Sequence, residues 1–90
     1  MFVNGGWNLM RLRNLGIYVL PDGKEYVADA LNAGAYALVP TGLWEVFRFA
    51  DYRVNADGRL LREGAPTRWH LRHLRDTGRD AQYPAPNRPL

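Results

Sequence analysis

The stretch RWHLRHLRDTGR, residues 68–79, decides the fold read from this sequence. Wound at about 100° per residue, it sets Arg68, Arg72, Arg75 and Arg79 on one narrow stripe and turns Leu71 and Leu74 elsewhere. Thr67 stands where an N-cap hydroxyl belongs, and Gly78 where a left-handed residue closes a helix. The spacing predicts one short helix late in the chain, with a cationic row along it.

Upstream, the patterning is that of strands. RLRNLGIYVL and KEYVADAL flank Pro21-Asp22-Gly23, where Pro suits the first central turn position and Gly the one needing positive φ, which predicts a hairpin. NAG, residues 32–34, is a second turn, and AYALVP a short apolar run ending at Pro40. LWEVFRFADYRV is rich in aromatic and β-branched residues and favours a strand, with a helical turn over residues 43–48 as the alternative. Asn55-Ala56-Asp57-Gly58 is the strongest turn signal, and it predicts that residues 52–54 pair with residues 59–61.

The sum is a mainly β chain of about five short strands with one short C-terminal helix. Close strand spacing favours a small SH3-like barrel, with a bent antiparallel sheet carrying the helix as the alternative. Residues 1–9 read as a loose leader, with Met10 as an alternative start, and residues 10–78 as a single domain. Residues 79–90, with three prolines among the last seven, read as a flexible tail.

Composition narrows the chemistry. The 90 residues contain no Cys and no Ser, so disulfides, thiolate metal sites and the two commonest nucleophiles are excluded. Only Thr41, Thr67 and Thr77 carry aliphatic hydroxyls. No apolar run approaches the roughly 18 residues of a membrane span, and the amino end lacks a secretion-signal layout, so a cytoplasmic protein without membrane contact is expected. Net charge is +3. Five bases balance five acids up to Ala56, whereas seven arginines face four acids from Asp57 onward, so the whole excess lies in the last third. Such an asymmetric basic end fits an anionic partner, and it also serves solubility alone.

The segments LPDGKEYVA, YRVNADGRLL, GAPTRW and LRDTG together resemble a group of short bacterial proteins without an assigned activity. Those proteins are built as an LPDG hairpin, a DGR turn, a PT-x-W step and a closing L-x-DTG. The likeness spans residues 20–78 and implies a self-standing small domain. In that group the two positions before the last leucine tend to be acidic. Here they are Arg72 and His73, so the cationic row belongs to this chain rather than to the group.

Each candidate site has a bland counterpart. Arg68, Arg72 and Arg75, with Arg59 and Arg62 upstream, would meet successive phosphates of DNA or RNA through paired hydrogen bonds, or would only be the solvated face of a helix. Trp44, Phe47, Phe49 and Tyr52 interleave with Arg48 and Arg53 as a stacking platform would, Trp44 and Tyr52 foremost, yet a chain this small needs most of its aromatics for the core. Two of them exposed beside Arg48 or Arg53 would tip that balance. His70 and His73 lack a third metal ligand nearby, and packing of His73 on Trp69 beside a solvated His70 is the better expectation. The turn carboxylates do not converge by spacing. The sequence therefore points to a non-enzymatic module without cofactor or metal that contacts nucleic acid. The alternative is a domain that binds itself or another protein.

Overall fold

The computed structural model describes residues 12–47 and 49–83. Seven strands form one sheet: β1 (Gly16–Val19), β2 (Glu25–Ala30), β3 (Tyr36–Pro40), β4 (Tyr52–Val54), β5 (Arg59–Arg62), β6 (Ala65–His70) and β7 (Arg75–Asp80). They lie in the order β6-β5-β4-β3-β2-β1-β7, and every paired neighbour is antiparallel. Strands β1 to β6 form a meander, after which the chain crosses from one end of the sheet to the other and β7 pairs with β1.

That crossing explains the curl of the sheet. Only residues 71–74 join His70 to Arg75, and extended chain covers at most about 3.6 Å per residue, so the two end strands approach within roughly 18 Å at the link. The inner face of the sheet therefore packs on itself. Strand parity sends Tyr18, Tyr26, Ala28, Leu38, Tyr52, Val54 and Leu60 inward, where all are buried and Leu38 and Leu60 are fully enclosed. Each such large side chain contributes about 1.5–3 kcal/mol by leaving water. Trp69, Leu71 and Leu74 pack against this cluster from β6 and the link.

The opposite parity of β1, β2 and β3 buries a smaller outer cluster of Ile17, Val27 and Val39 beneath Trp44, from the β3–β4 connection. Trp44 Nε1 donates to the Gln82 carbonyl at 2.7 Å, and the Tyr83 ring lies 5.9 Å from the indole, so residues 81–83 strap this face.

The mainly β reading holds, and so do both sequence-marked hairpins. Gly23 N–H bonds the Leu20 carbonyl at 2.8 Å, and β4 pairs with β5 through Arg53↔Leu61 and Val54↔Leu60. Three expectations need correction. The described residues form seven strands rather than five. The sheet is open, because β6 and β7 do not pair, so it is not an SH3-like barrel. The C-terminal helix does not exist: residues 67–78 are the end of β6, a 3-10 turn (Leu71–His73) and most of β7.

The reason for the third is tertiary. A lone helix of this length is marginal in water and needs a broad apolar face to dock, which Leu71 and Leu74 alone do not supply. As strands, the same residues pair with β5 and β1. Thr67 also donates its hydroxyl to the Leu60 carbonyl at 2.7 Å, and Thr77 to that of Ile17 at 2.7 Å.

The strand expected over LWEVFRFADYRV is confined to Tyr52–Val54. Before it come a 3-10 turn (Thr41–Leu43) and a helical turn in which Phe47 N–H bonds the Leu43 carbonyl at 2.9 Å. The β5–β6 hairpin turns on Glu63 and Gly64, both at positive φ (52° and 83°), the type I′ geometry that matches strand twist. The expected domain end at Gly78 falls inside β7. The expected leader, residues 1–9, and the last seven residues of the expected tail lie outside the described residues. Among the described residues no helix is long and apolar enough to cross a membrane.

Candidate functional site

The outer face of β4, β5 and β6 carries the basic residues. Tyr52, Val54 and Leu60 point inward, so their neighbours Arg53, Arg59 and Leu61 point outward. The register Arg53↔Leu61, Leu61↔Pro66 and Arg59↔His70 continues that face onto β6, where Arg68 lies between Pro66 and His70. Arg53 and Arg68 are exposed and Arg59 half-buried. Arg59 lies across β6, its Nη1 donating to the carbonyls of Thr67 (3.4 Å) and Arg68 (3.3 Å). The Arg68 guanidinium sits 4.5 Å from the centre of the Trp69 ring, a cation–π contact.

This face ends at the Leu71–His73 turn, which two histidines cap reciprocally. His70 N–H donates to His73 Nδ1 at 2.9 Å, and Arg72 N–H donates to His70 Nδ1 at 3.1 Å. A nitrogen accepting from a backbone N–H carries no proton, so the network assigns both rings the neutral Nε2–H tautomer. His70 Nε2 then donates to the Asp57 carbonyl at 3.0 Å, and its ring fills the space above Gly58, where an added Cβ would come within 2.8 Å.

His73 meets Trp69 edge to face at 5.5 Å, as expected. His70 is engaged by the turn rather than simply solvated. Burial, then Arg72, His70, Arg59 and Arg68, push the His73 pKa below its ordinary value, so three guanidinium groups from three elements crowd this imidazole. Both rings are committed to backbone partners, and among the described residues no three His, Asp or Glu side chains gather as a metal site.

The arginine row read from residues 68–79 is split. Arg68 and Arg72 join Arg59 at one end of the sheet. Arg75 lies on β7, opposite Val19, whose other neighbour is Glu25, and Arg79 pairs with Glu25 at 2.5 Å. Arg79 is thereby neutralised, and the pairing pulls the Glu25 pKa down. Arg13 does the equivalent for β7, clasping Asp76 and, at 2.8 Å, Asp80, so the Asp76 pKa is lowered chiefly by this guanidinium. Among the described residues, Arg53, Arg59, Arg62, Arg68, Arg72 and Arg75 form no ion pair with a carboxylate.

The two expected stacking residues are inside the protein. Trp44 is 4% exposed and Tyr52 6%. Tyr52 meets Tyr26 edge-on at 5.7 Å, with the Arg62 guanidinium 4.7 Å over its ring. Among the described residues the open aromatics are Phe47, Phe49 and Tyr83; the Phe47 and Phe49 rings, 56% and 70% exposed, are parallel with centroids 5.6 Å apart. Arg53, expected as a cationic edge of the stacking platform rather than among the phosphate contacts, joins Phe49 in lining a surface groove. Arg48 lies outside the described residues. The sequence signal for the two phenylalanines was weak, because period two through this segment does not separate a wet face from a dry one. No protein-family model, no curated protein and no solved structure matches the chain.

Proposed function

We propose that this protein is a non-enzymatic binding module that holds a polyanion, a nucleic-acid strand first of all, on the outer face of β4–β6 and the adjoining turn. The observation that carries it is the contrast among the arginines: Arg13 and Arg79 are neutralised by carboxylates, while Arg53, Arg59, Arg68 and Arg72 are not. Unpaired guanidinium groups at strand spacing suit successive phosphates, to which arginine makes paired hydrogen bonds. Arg62, at the end of β5, flanks this face rather than forming it, and Arg75 lies away from it on β7. A non-catalytic role is supported by the hydroxyl bookkeeping, since Thr67 and Thr77, two of the three aliphatic hydroxyls, are spent on backbone carbonyls.

Phosphate contacts displace counterions, so binding should fall steeply with salt. For about three to four contacts to a single strand, log affinity against log salt has a slope of roughly −2 to −3. A labelled oligonucleotide titrated at low and moderate ionic strength measures this, and the absence of salt-sensitive binding would remove the proposal.

A second reading, self-association, is favoured by one observation: among the described residues β6 and β7 each leave an edge unpaired at the ends of the sheet, a template for another strand. Sedimentation across concentration separates the two, since a monomer at all concentrations excludes self-association.

A further inference from the structure

We infer that the groove between Phe49 and Arg62 receives an unpaired nucleobase, so that the partner is single-stranded rather than duplex nucleic acid. This rests on the polyanion reading above and deepens it. The groove is a surface cleft of about 350 Å³, at the small end of ligand sites. Its walls include Phe49, Tyr52, Arg53, Leu61, Arg62 and Glu63.

Three features point to a base. Phe47 and Phe49 form a parallel pair that is more than half exposed, although a chain of 90 residues has every reason to bury such rings. A third ring laid on Phe49 would extend that stack. Arg62 already holds its guanidinium 4.7 Å over the Tyr52 ring and is itself exposed, and a guanidinium stacks on planar groups. Finally, the lining is charge-balanced, with Asp51 and Glu63 against Arg53 and Arg62. Those carboxylates repel a phosphate but accept from the amino groups of a base.

The unpaired arginines of β4–β6 supply the phosphate contacts that the groove itself disfavours. Arg53 belongs to both regions, as a groove wall and as the first cation of the outer face. A duplex keeps its bases stacked on one another and presents mainly phosphate, so it engages the arginines and leaves the phenylalanines idle. A single strand engages both.

Three labelled probes of about a dozen nucleotides test this: a mixed-sequence single strand, an abasic strand of equal charge, and a duplex. Each is titrated by fluorescence anisotropy at low salt against the wild type and the Phe47→Ala/Phe49→Ala variant, whose exposed sites leave folding intact by circular dichroism. The expected result is binding of the base-bearing strand about tenfold or more tighter than the abasic strand, with the difference abolished in the variant. Equal affinity for base-bearing and abasic strands, or a variant indistinguishable from wild type, would overturn the inference while leaving salt-sensitive polyanion binding standing. Lack of salt-sensitive binding to all three probes would remove both. A variant that changes only sedimentation would reassign the phenylalanines to self-association and likewise overturn it.

Discussion

The two halves of the sheet use the same kinds of residue for opposite ends. Over β1–β3 an aromatic residue, Trp44, packs with Ile17, Val27 and Val39 and is shut away, and at the neighbouring β7 the arginines Arg13 and Arg79 are bound to Asp76, Asp80 and Glu25. Over β4–β6 the phenylalanines stand in water, and among the described residues Arg53, Arg68 and Arg72 have no carboxylate partner. Composition alone does not separate the halves. The difference lies in what each side chain meets, and it is the ground for proposing stability for the first half and binding for the second.

Substitutions can break that division, beginning with the largest effect. Trp44→Ala uncovers the outer cluster and should cost about 3–5 kcal/mol in denaturant unfolding, with oligonucleotide affinity per folded molecule unchanged. Gly58→Ala places a side chain at φ 88° and against the His70 ring, and should cost about 1–3 kcal/mol while loosening the basic turn. The triple variant Arg53→Glu/Arg68→Glu/Arg72→Glu inverts the pattern. It should lower oligonucleotide affinity by about tenfold or more and flatten the salt dependence, with unfolding barely altered. Arg13→Ala should do the reverse, lowering the melting temperature and leaving affinity as it was, because it holds β7 through Asp76, Asp80 and the Arg79 carbonyl.

Acid sharpens the contrast further, because the two halves respond in different windows. His73 has its pKa lowered in the fold, chiefly by burial, so below its ordinary 6.5 the unfolded chain takes up the proton first. Its contribution to stability is complete above that value and drains away as pH falls toward the lowered one. His73→Asn, which keeps an acceptor but does not titrate, should erase this step in a pH series of melting temperatures. Glu25 and Asp76, lowered chiefly by Arg79 and Arg13, contribute above their ordinary 4.5 and 3.8 and lose that contribution only as pH falls through the lowered values. That second step should shrink in Arg13→Ala and leave the His73 step in place.

What could be read beforehand was the local chemistry. Pro21-Asp22-Gly23 and Asn55-Ala56-Asp57-Gly58 announce their hairpins because turn geometry depends on the turn residues themselves. β7 was illegible for the opposite reason. RDTGRD contains no apolar residue, and what holds it is the backbone ladder to β1, the Arg13 clasp from 63 and 67 positions away, and the Thr77 hydroxyl on the Ile17 carbonyl. None of those partners leaves a trace within the segment. The arginines at residues 68, 72, 75 and 79 fell on a helical stripe by spacing alone, and long-range pairing overrode it. The basic cluster survived that error only in part, because Arg59, Arg68 and Arg72 are brought together by β5, β6 and the turn, whereas Arg75 and Arg79 are carried away with β7. The reading of Trp44 and Tyr52 as stacking residues failed at the same level. Which aromatic is covered depends on a strap and a strand register that lie elsewhere in the chain.

Nuclear magnetic resonance of the arginine side chains, recorded while a single-stranded oligonucleotide is added, tests the division between the halves most directly. The expected result is that the Nε–Hε signals of Arg53, Arg59, Arg68 and Arg72 shift together and saturably, while those of Arg13 and Arg79 stay in place. Shifts confined to Arg13 and Arg79, or signals that never move at low salt, would contradict it.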